Sequence, residues 1–429
     1  MKRVIIAIVL VFLLVSPLFA GGAKEAGSSS DKITLSFLNK YPEAQYLAYF
    51  EGAVKDFEAQ NPDIDIVLES VSDQAIKDKL SVMAAGGEMP DIFFSWSGEY
   101  LKKFARSGLI ADLTPYLERD TAWADGFLSA YLNNSTFEGK TYGIPYRGSI
   151  MFMLYNKKIF ADLGLQEPKT YAELLSVSEV LKNKGYIPIG FGNSQAWYSS
   201  WWIGTLNALL VSPENLNRDY NPNTTDFSNP AYVEALQYFI DLNEKGYFGK
   251  NVNSKDYYQV REEFMAGQSG MIMDATAQFS IYEDGSRDDW GYFRFPAVVG
   301  AAGDLGMNTG GAEVYAVSST SEHKEAAVKF LKFMTTKEQA FKQTKESGLP
   351  NCIVGAITPE NGSEKLIGAL EIVNESITNV ADWLDTAVES RVADQYMSSA
   401  QECLSGKSAQ EAMSEVKAVA KTVRESMNQ

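Results

Sequence analysis

Three spacings in the chain invite a catalytic reading, and each breaks at one position. Gly406-Lys407-Ser408 matches the end of a phosphate-cradling loop, but the loop's first glycine would be residue 401, which is Gln401, and no strand pattern leads into it. Lys407 therefore reads as a solvated residue ahead of a helix cap at Ser408. Gly190-Phe191-Gly192 follows a strand pattern like half of a dinucleotide fingerprint, yet the third glycine position is Gln195. Gly267-Gln268-Ser269-Gly270 misses a nucleophile elbow because residue 271 is Met271. The single histidine, His323, excludes a paired-histidine zinc helix and leaves little for histidine acid-base chemistry. Cys352 and Cys403 are the only thiols, and sequence leaves a disulfide and two buried free thiols equally open. Among several carboxylates, Glu99, Asp274 and Glu313 are available, so an acid-base pair acting on a glycosidic bond depends on their separation in space.

A second constellation suits binding rather than reaction. Trp197, Tyr198, Trp201 and Trp202 place three of the seven tryptophans within six residues, directly after an apolar strand at Ile187 to Phe191. In an open parallel sheet, ligands bind at the carboxyl ends of strands. Flat aromatic faces match the C-H patches of sugar rings, whose hydroxyls require polar partners at the edges. Any one of these tryptophans could instead be core, since aromatic burial is strongly favourable. Other strand ends carry the same mixture of apolar and polar groups. They are Asn39-Lys40-Tyr41 after Leu38, Ser95-Trp96-Ser97 after Phe94, and Asp274-Ala275-Thr276 after Met273. For Asp274 a helix N-cap is the competing reading.

The elements that must position these groups follow from periodicity. Ile33, Leu35 and Phe37 alternate as in a strand, and Tyr46, Phe50, Val54 and Phe57 recur at helical spacing until Asn61-Pro62. Ile64, Ile66 and Leu68 alternate again, a helix runs to Ala85 and closes at Gly86-Gly87, and Ile92, Phe93 and Phe94 form an apolar triplet. That order predicts a parallel sheet covered by helices. Thr170 with Glu173, and Ser408 with Glu411, have the spacing of capping boxes. Another helix is expected from Asn229-Pro230 to Gly246.

With 429 residues the chain is long enough for two or three domains. A net charge of -17, with 55 acidic against 38 basic residues, argues against nucleic acid as a partner. Lys2 and Arg3 precede an apolar run from Val4 to Val15, followed by small residues at 20–23, the order of a secretory signal peptide. A membrane anchor would need ~20 apolar residues. The expected divisions are a signal peptide at 1–22 and a flexible leader at 23–30. No cysteine near the cleavage site offers a lipid attachment point.

Ordered segments along most of the chain carry a family resemblance. They are FEAQNPDIDI, MPDIFFSW continuing to RSGLIADLTPYL, TYGIPYRGSIMFMLYNKKIF, FMAGQSGMIMDA, and GGAEVYAVS followed by KEAAVKFLKFM. The chain resembles the extracellular solute-binding proteins of ABC importers, in the carbohydrate-binding group that includes the maltose-binding protein. The resemblance implies an α/β fold of periplasmic binding protein type II, with two lobes joined by a multi-strand hinge around a ligand cleft. The lobes would comprise 31–143 with 300–350, and 144–299 with 351–429. It implies a monomeric periplasmic receptor that passes a mono- or oligosaccharide to permease subunits, without catalytic residues, metal or cofactor.

Expected ligand-binding residues are Asn39, Tyr41, Trp96, Ser97, Tyr146, Arg147, Trp197, Trp201, Trp202, Asp274, Thr276, Gly311, Glu313 and Trp383. The sequence departs from the maltose-type pattern at Ala277, where a tryptophan would stand, so stacking is expected from the Trp197 to Trp202 cluster. Rivals are a same-fold receptor for a polyamine, one for ferric iron held by Tyr257 and Tyr258, and a secreted glycosidase.

Overall fold

The computed structural model describes residues 32–286, 289–304, 307–376 and 379–429. The segments read as signal peptide and leader, 1–22 and 23–30, lie outside them. The strands in chain order are β1 (Ile33–Asn39), β2 (Ile64–Ser70), β3 (Ile92–Trp96), β4 (Thr136–Phe137), β5 (Lys140–Thr141), β6 (Ile144–Asn156), β7 (Ile187–Gly190), β8 (Ser269–Ala275), β9 (Trp290–Phe293), β10 (Met307–Val317) and β11 (Asn379–Asp382).

In the first lobe, β1 pairs in parallel with β2 and β3. The helix Ala44–Gln60 between β1 and β2 buries Tyr46, Tyr49, Phe50, Ala53, Val54 and Phe57, one face at helical spacing. It stops at Asn61, whose side-chain amide donates back to the Phe57 carbonyl at 2.8 Å before Pro62 prevents continuation. The next helix, Asp73–Gly86, ends on Gly87 at φ 72, a left-handed cap that only glycine adopts without strain. In the second lobe β7 runs parallel to β8, and β8 runs antiparallel to β6. Both expected capping boxes form, at Thr170/Glu173 and Ser408/Glu411.

The sheet is parallel where strand, helix and strand alternate, but not throughout, as the sequence order alone predicts. β10 runs antiparallel to both β3 and β6, because it arrives from a distant stretch of chain and no crossover helix dictates its direction. β6 and β10 also join the lobes. β6 pairs with β10 from Ile144 to Ile150 and with β8 from Met151 to Tyr155. β10 pairs with β11 at Met307 to Gly310 and with β3 from Glu313 to Val317. The change of partner therefore falls inside each long strand, later than the divisions expected at 143/144 and 299/300. At this crossing a Cβ on Gly310 would stand 2.1 Å from the Ser149 carbonyl oxygen, so the backbones pass too closely for any side chain.

The division expected at 350/351 also shifts. Leu128 and Gly126 exchange backbone hydrogen bonds with Cys352 and Val354, which ties that stretch to the first lobe. Cys352 and Cys403 are both free and buried. His323 is the half-buried residue preceding the helix Lys324–Met334.

Candidate functional site

Register across three strands builds the floor of a cavity between the lobes. Glu313 of β10 lies opposite Trp96 of β3 on one side and Arg147 of β6 on the other, and directly paired residues present their side chains on one face. Lys40, one residue past the end of β1, reaches the same point. The Glu313 carboxylate, 1% exposed, accepts from Lys40 Nζ at 2.6 Å, from Arg147 Nη2 at 2.5 Å and from the Tyr41 hydroxyl. Burial pushes the Glu313 carboxyl up, but Arg147 and Lys40 outweigh it and hold the group below its ordinary value. Asp73, on the helix Asp73–Gly86, takes Lys40 at 2.8 Å and is likewise held low by Lys40, Lys77 and Arg147 against its burial.

Lys77 stands one turn after Asp73 on that helix, so both side chains face the second lobe. Its ammonium pairs with Asp385 at 2.7 Å and lies 4.8 Å from the Trp96 ring centroid. Asp385 also accepts from Ser200 Oγ at 2.8 Å. The opposite wall comes from the helix Trp197–Leu210, whose Trp197 and Trp201 share one face at i,i+4. Their rings lie 5.4 Å apart, and Tyr257 packs against them at 5.3 and 5.5 Å. Trp383 closes another side. A Cβ on Gly311 would meet its ring at 3.2 Å, so glycine lets the indole lie flat on β10.

The lining thus holds Trp96, Trp197, Trp201, Trp383 and Tyr257, together with Lys40, Lys77, Arg147, Asp73, Glu313 and Asp385. Three cations face three carboxylates and pair among themselves, so the cavity carries no net charge. A polyamine or an anion would have to break a buried pair, which costs several kcal/mol (about 3–5). Arg147 Nε, Ser149 Oγ, Trp197 Nε1 and Trp383 Nε1 are buried without a hydrogen-bond partner among the described residues. Buried polar groups ordinarily have one, and all four atoms belong to residues that line the cavity. Of the three carboxylates singled out from sequence, only Glu313 lines the cavity. Glu99 pairs with Arg106 at 2.8 Å away from the cavity, Asp274 lies behind Tyr257, and Glu313 is held ionised rather than poised as an acid.

Of the residues expected from sequence, Trp96, Arg147, Trp197, Trp201, Glu313 and Trp383 line this cavity, and Gly311 lies beneath Trp383. The others do not line it. Trp202 is one helical step from Trp201 and points into the second-lobe core against Phe248 and Phe295. Tyr146, next to Arg147 on a strand, faces the other way and packs on Phe50 and Tyr315. Asn39 accepts from the Tyr315 hydroxyl at 2.8 Å, and Ser97 donates to Asp382 at 2.9 Å. Thr276 Oγ1 accepts from the Ile150 amide at 3.2 Å, and Tyr41 acts only through Glu313. Asp274 is no N-cap. It accepts from the Tyr257 hydroxyl at 2.8 Å and from the Tyr282 hydroxyl.

Sequence reasoning missed Asp73, Lys77, Ser149, Gln278 and Asp385, and weighed Tyr257 only as a metal ligand. Its hydroxyl is bound to Asp274, whereas that of Tyr258 points to Asp73 at 3.5 Å, so the two do not converge. The Asp73 and Lys77 pair at i,i+4 after a strand end was the one available signal.

Two α/β lobes, two long strands passing between them and an aromatic cavity at the passage define a cleft-type binding protein. The chain belongs to the bacterial extracellular solute-binding protein family, whose profile matches residues 42–341. It is 24% identical over 351 residues to the multiple sugar-binding protein of Streptococcus mutans, covering 79% of this chain and 80% of that one. Among solved structures it is similar to a chitin oligosaccharide binding protein, with a TM-score of 0.84 and 27% identity, covering 92% of this chain and 99% of that one. A solute-binding protein in complex with raffinose shares the fold, with a TM-score of 0.74, 19% identity and coverage of 92% and 100%.

Proposed function

We propose that this protein is an exported receptor that takes a mono- or oligosaccharide into the interlobe cavity and presents its closed form to the permease subunits of an ABC importer. The observation that carries the reading is the cavity itself: four tryptophans, no net charge, and four buried polar atoms awaiting partners. Ring faces stack on the indoles, hydroxyls satisfy the orphaned donors, and nothing in the guest needs to be ionised. The relatives named for sugars and for chitin oligosaccharide support the same class of ligand. The receptor acts as a monomer in the periplasm, released by cleavage within residues 20–22, and works without metal or cofactor. No helix of the described residues is long and apolar enough to cross a membrane.

Ligand and product are the same molecule in this reading, so binding is stoichiometric and reversible. Titration of a panel of mono- and oligosaccharides, followed by tryptophan fluorescence and small-angle scattering, gives saturable binding with compaction for at least one sugar. A panel with neither result overturns the proposal, and release of a shortened sugar on overnight incubation favours the glycosidase instead.

A further inference from the structure

Asp274 was expected to hold the ligand, but both of its carboxylate oxygens already accept hydrogen bonds within the protein. One carboxylate oxygen accepts from the Tyr257 hydroxyl at 2.9 Å and from the Ala275 amide at 2.8 Å; the other accepts from Tyr257 at 2.8 Å and from the Tyr282 hydroxyl. It is fully buried at 0% exposure and is not among the groups lining the cavity. No lysine or arginine forms an ion pair with it among the described residues. What it touches is Tyr257, and Tyr257 is the centre of the aromatic wall. That ring makes edge contacts with Trp197, Tyr198 and Trp201 at 5.3, 5.1 and 5.5 Å, and the Arg261 guanidinium lies 5.5 Å from its centroid.

We propose that Asp274 is a positioning residue for binding: without touching the ligand, it fixes the Tyr257 ring so that Tyr257, Trp197 and Trp201 present one preset surface. The inference rests on the saccharide reading of the cavity for its effect on affinity. The geometry explains why an acid stands at the end of β8. A neutral amide oxygen offers two acceptor sites, whereas a carboxylate with about four holds two phenols and a backbone amide together. Tyr282, on the far side, belongs to a separate core with Phe264 and Trp290. Asp274 therefore ties the Tyr257 side of the wall to a core of the lobe that is separate from the cavity. A preset surface costs no ordering when the guest arrives.

The test is a double-mutant cycle on the full-length mature protein with Asp274→Asn, Tyr257→Phe and both together. Raffinose, triacetylchitotriose and xylotriose serve as probes in calorimetric titration, and near-ultraviolet circular dichroism of the ligand-free protein reads the packing of the cluster directly. Each single change is expected to weaken the best-bound probe about tenfold, the scale of one hydrogen bond to a charged group. The double variant is expected to be no weaker than the weaker single, and all three share the same altered tryptophan band in the near-ultraviolet. Additive losses, or a folded Asp274→Asn variant with wild-type affinity and spectrum, overturn the proposal. Should Asp274→Asn fail to fold, Tyr257→Phe deletes only one hydroxyl, and unchanged affinity and spectrum in that variant overturn it equally. If no probe binds the wild type, the saccharide reading for these probes fails, while the ligand-free spectra still decide whether Asp274 positions Tyr257.

Discussion

Replacing Glu313 by glutamine tests whether the cavity floor is held by charge. The carboxylate joins Lys40, Arg147 and Tyr41 while almost wholly out of water. Glutamine keeps the shape and one acceptor oxygen. It leaves Lys40 with Asp73 at 2.8 Å, but leaves the buried Arg147 guanidinium with no carboxylate partner among the described residues. Removing one partner of a buried ion pair costs about 3–5 kcal/mol, because the other charge stays buried. Since Lys40 retains Asp73, the lower end, about 3 kcal/mol, is expected. At roughly 2–4 °C per kcal/mol for a lobe of this size, the melting point at neutral pH falls by roughly 6–12 °C.

The sign of the pH dependence follows from the lowered carboxyl. Glu313 is ionised in the folded and unfolded chain above its ordinary value of 4.5, so its contribution is complete at neutral pH. As the pH falls below that value the unfolded chain takes up the proton first, and the contribution is lost as the pH passes through the lower folded value. The variant has no such acid limb. Thermal unfolding followed by circular dichroism, from about pH 7 to about pH 3, should show a gap that closes on acidification. A variant melting within about 2 °C of wild type at neutral pH, or a gap unchanged down to about pH 3, refutes the assignment.

Three further changes separate binding from folding. Trp201→Ala should weaken the bound sugar by about 2 kcal/mol, near 30-fold, with little loss of stability, whereas Trp202→Ala should cost about 3–5 kcal/mol of stability and leave the dissociation constant of the folded protein unchanged; calorimetry with parallel melts distinguishes them, and reversed results would show that the two rings have been placed on the wrong sides. Lys77→Met removes the interlobe partner of Asp385; affinity for a neutral sugar should fall with added salt in the wild type and lose that dependence in the variant, and equal salt slopes would deny the bridge a part in closure. Burial pushes Asp382 up to about 6 against Ser97 and Lys102, so the folded protein holds that proton more tightly than the unfolded chain and loses stability as pH rises from the ordinary carboxylate value through about 6. Asp382→Asn should therefore gain stability relative to wild type above that window in urea titrations, and parallel profiles would contradict the assignment.

Local elements were readable from sequence because each has a local cause. Apolar alternation placed β1 and β2, an apolar triplet placed β3, and Thr170 and Ser408 announced their helices through the glutamate three residues on. The direction of β10 had no local cause, since it is decided by a partner strand far away in the chain. The same division runs through the cavity. Trp96 stood at a recognisable strand end and Arg147 in a segment of the family resemblance, but Asp385 enters only because the C-terminal segment returns over Ser200 and Lys77. That Trp202 and Tyr146 turn away from the cavity has a cause legible in the chain. A 100° step along a helix and a one-residue step along a strand each turn a side chain away from its neighbour, and both periods are visible in the chain.

The placement of the floor residues ties ligand contact to lobe angle. Arg147 lies on β6 shortly before that strand leaves β10 for β8, and Glu313 lies on β10 just after the close crossing at Gly310. The pair that sets the floor is thus built from the two strands that join the lobes. Above it, Lys77–Asp385 at 2.7 Å and Tyr258 to Asp73 at 3.5 Å link one lobe to the other. A ligand shifts the open and closed populations only by contacts that differ between them. On the saccharide reading proposed above, a neutral guest at Arg147, Ser149, Trp197 and Trp201 would leave every ion pair intact. A charged guest would add the cost of breaking one of those pairs, so the bridges that link the lobes also select against charge.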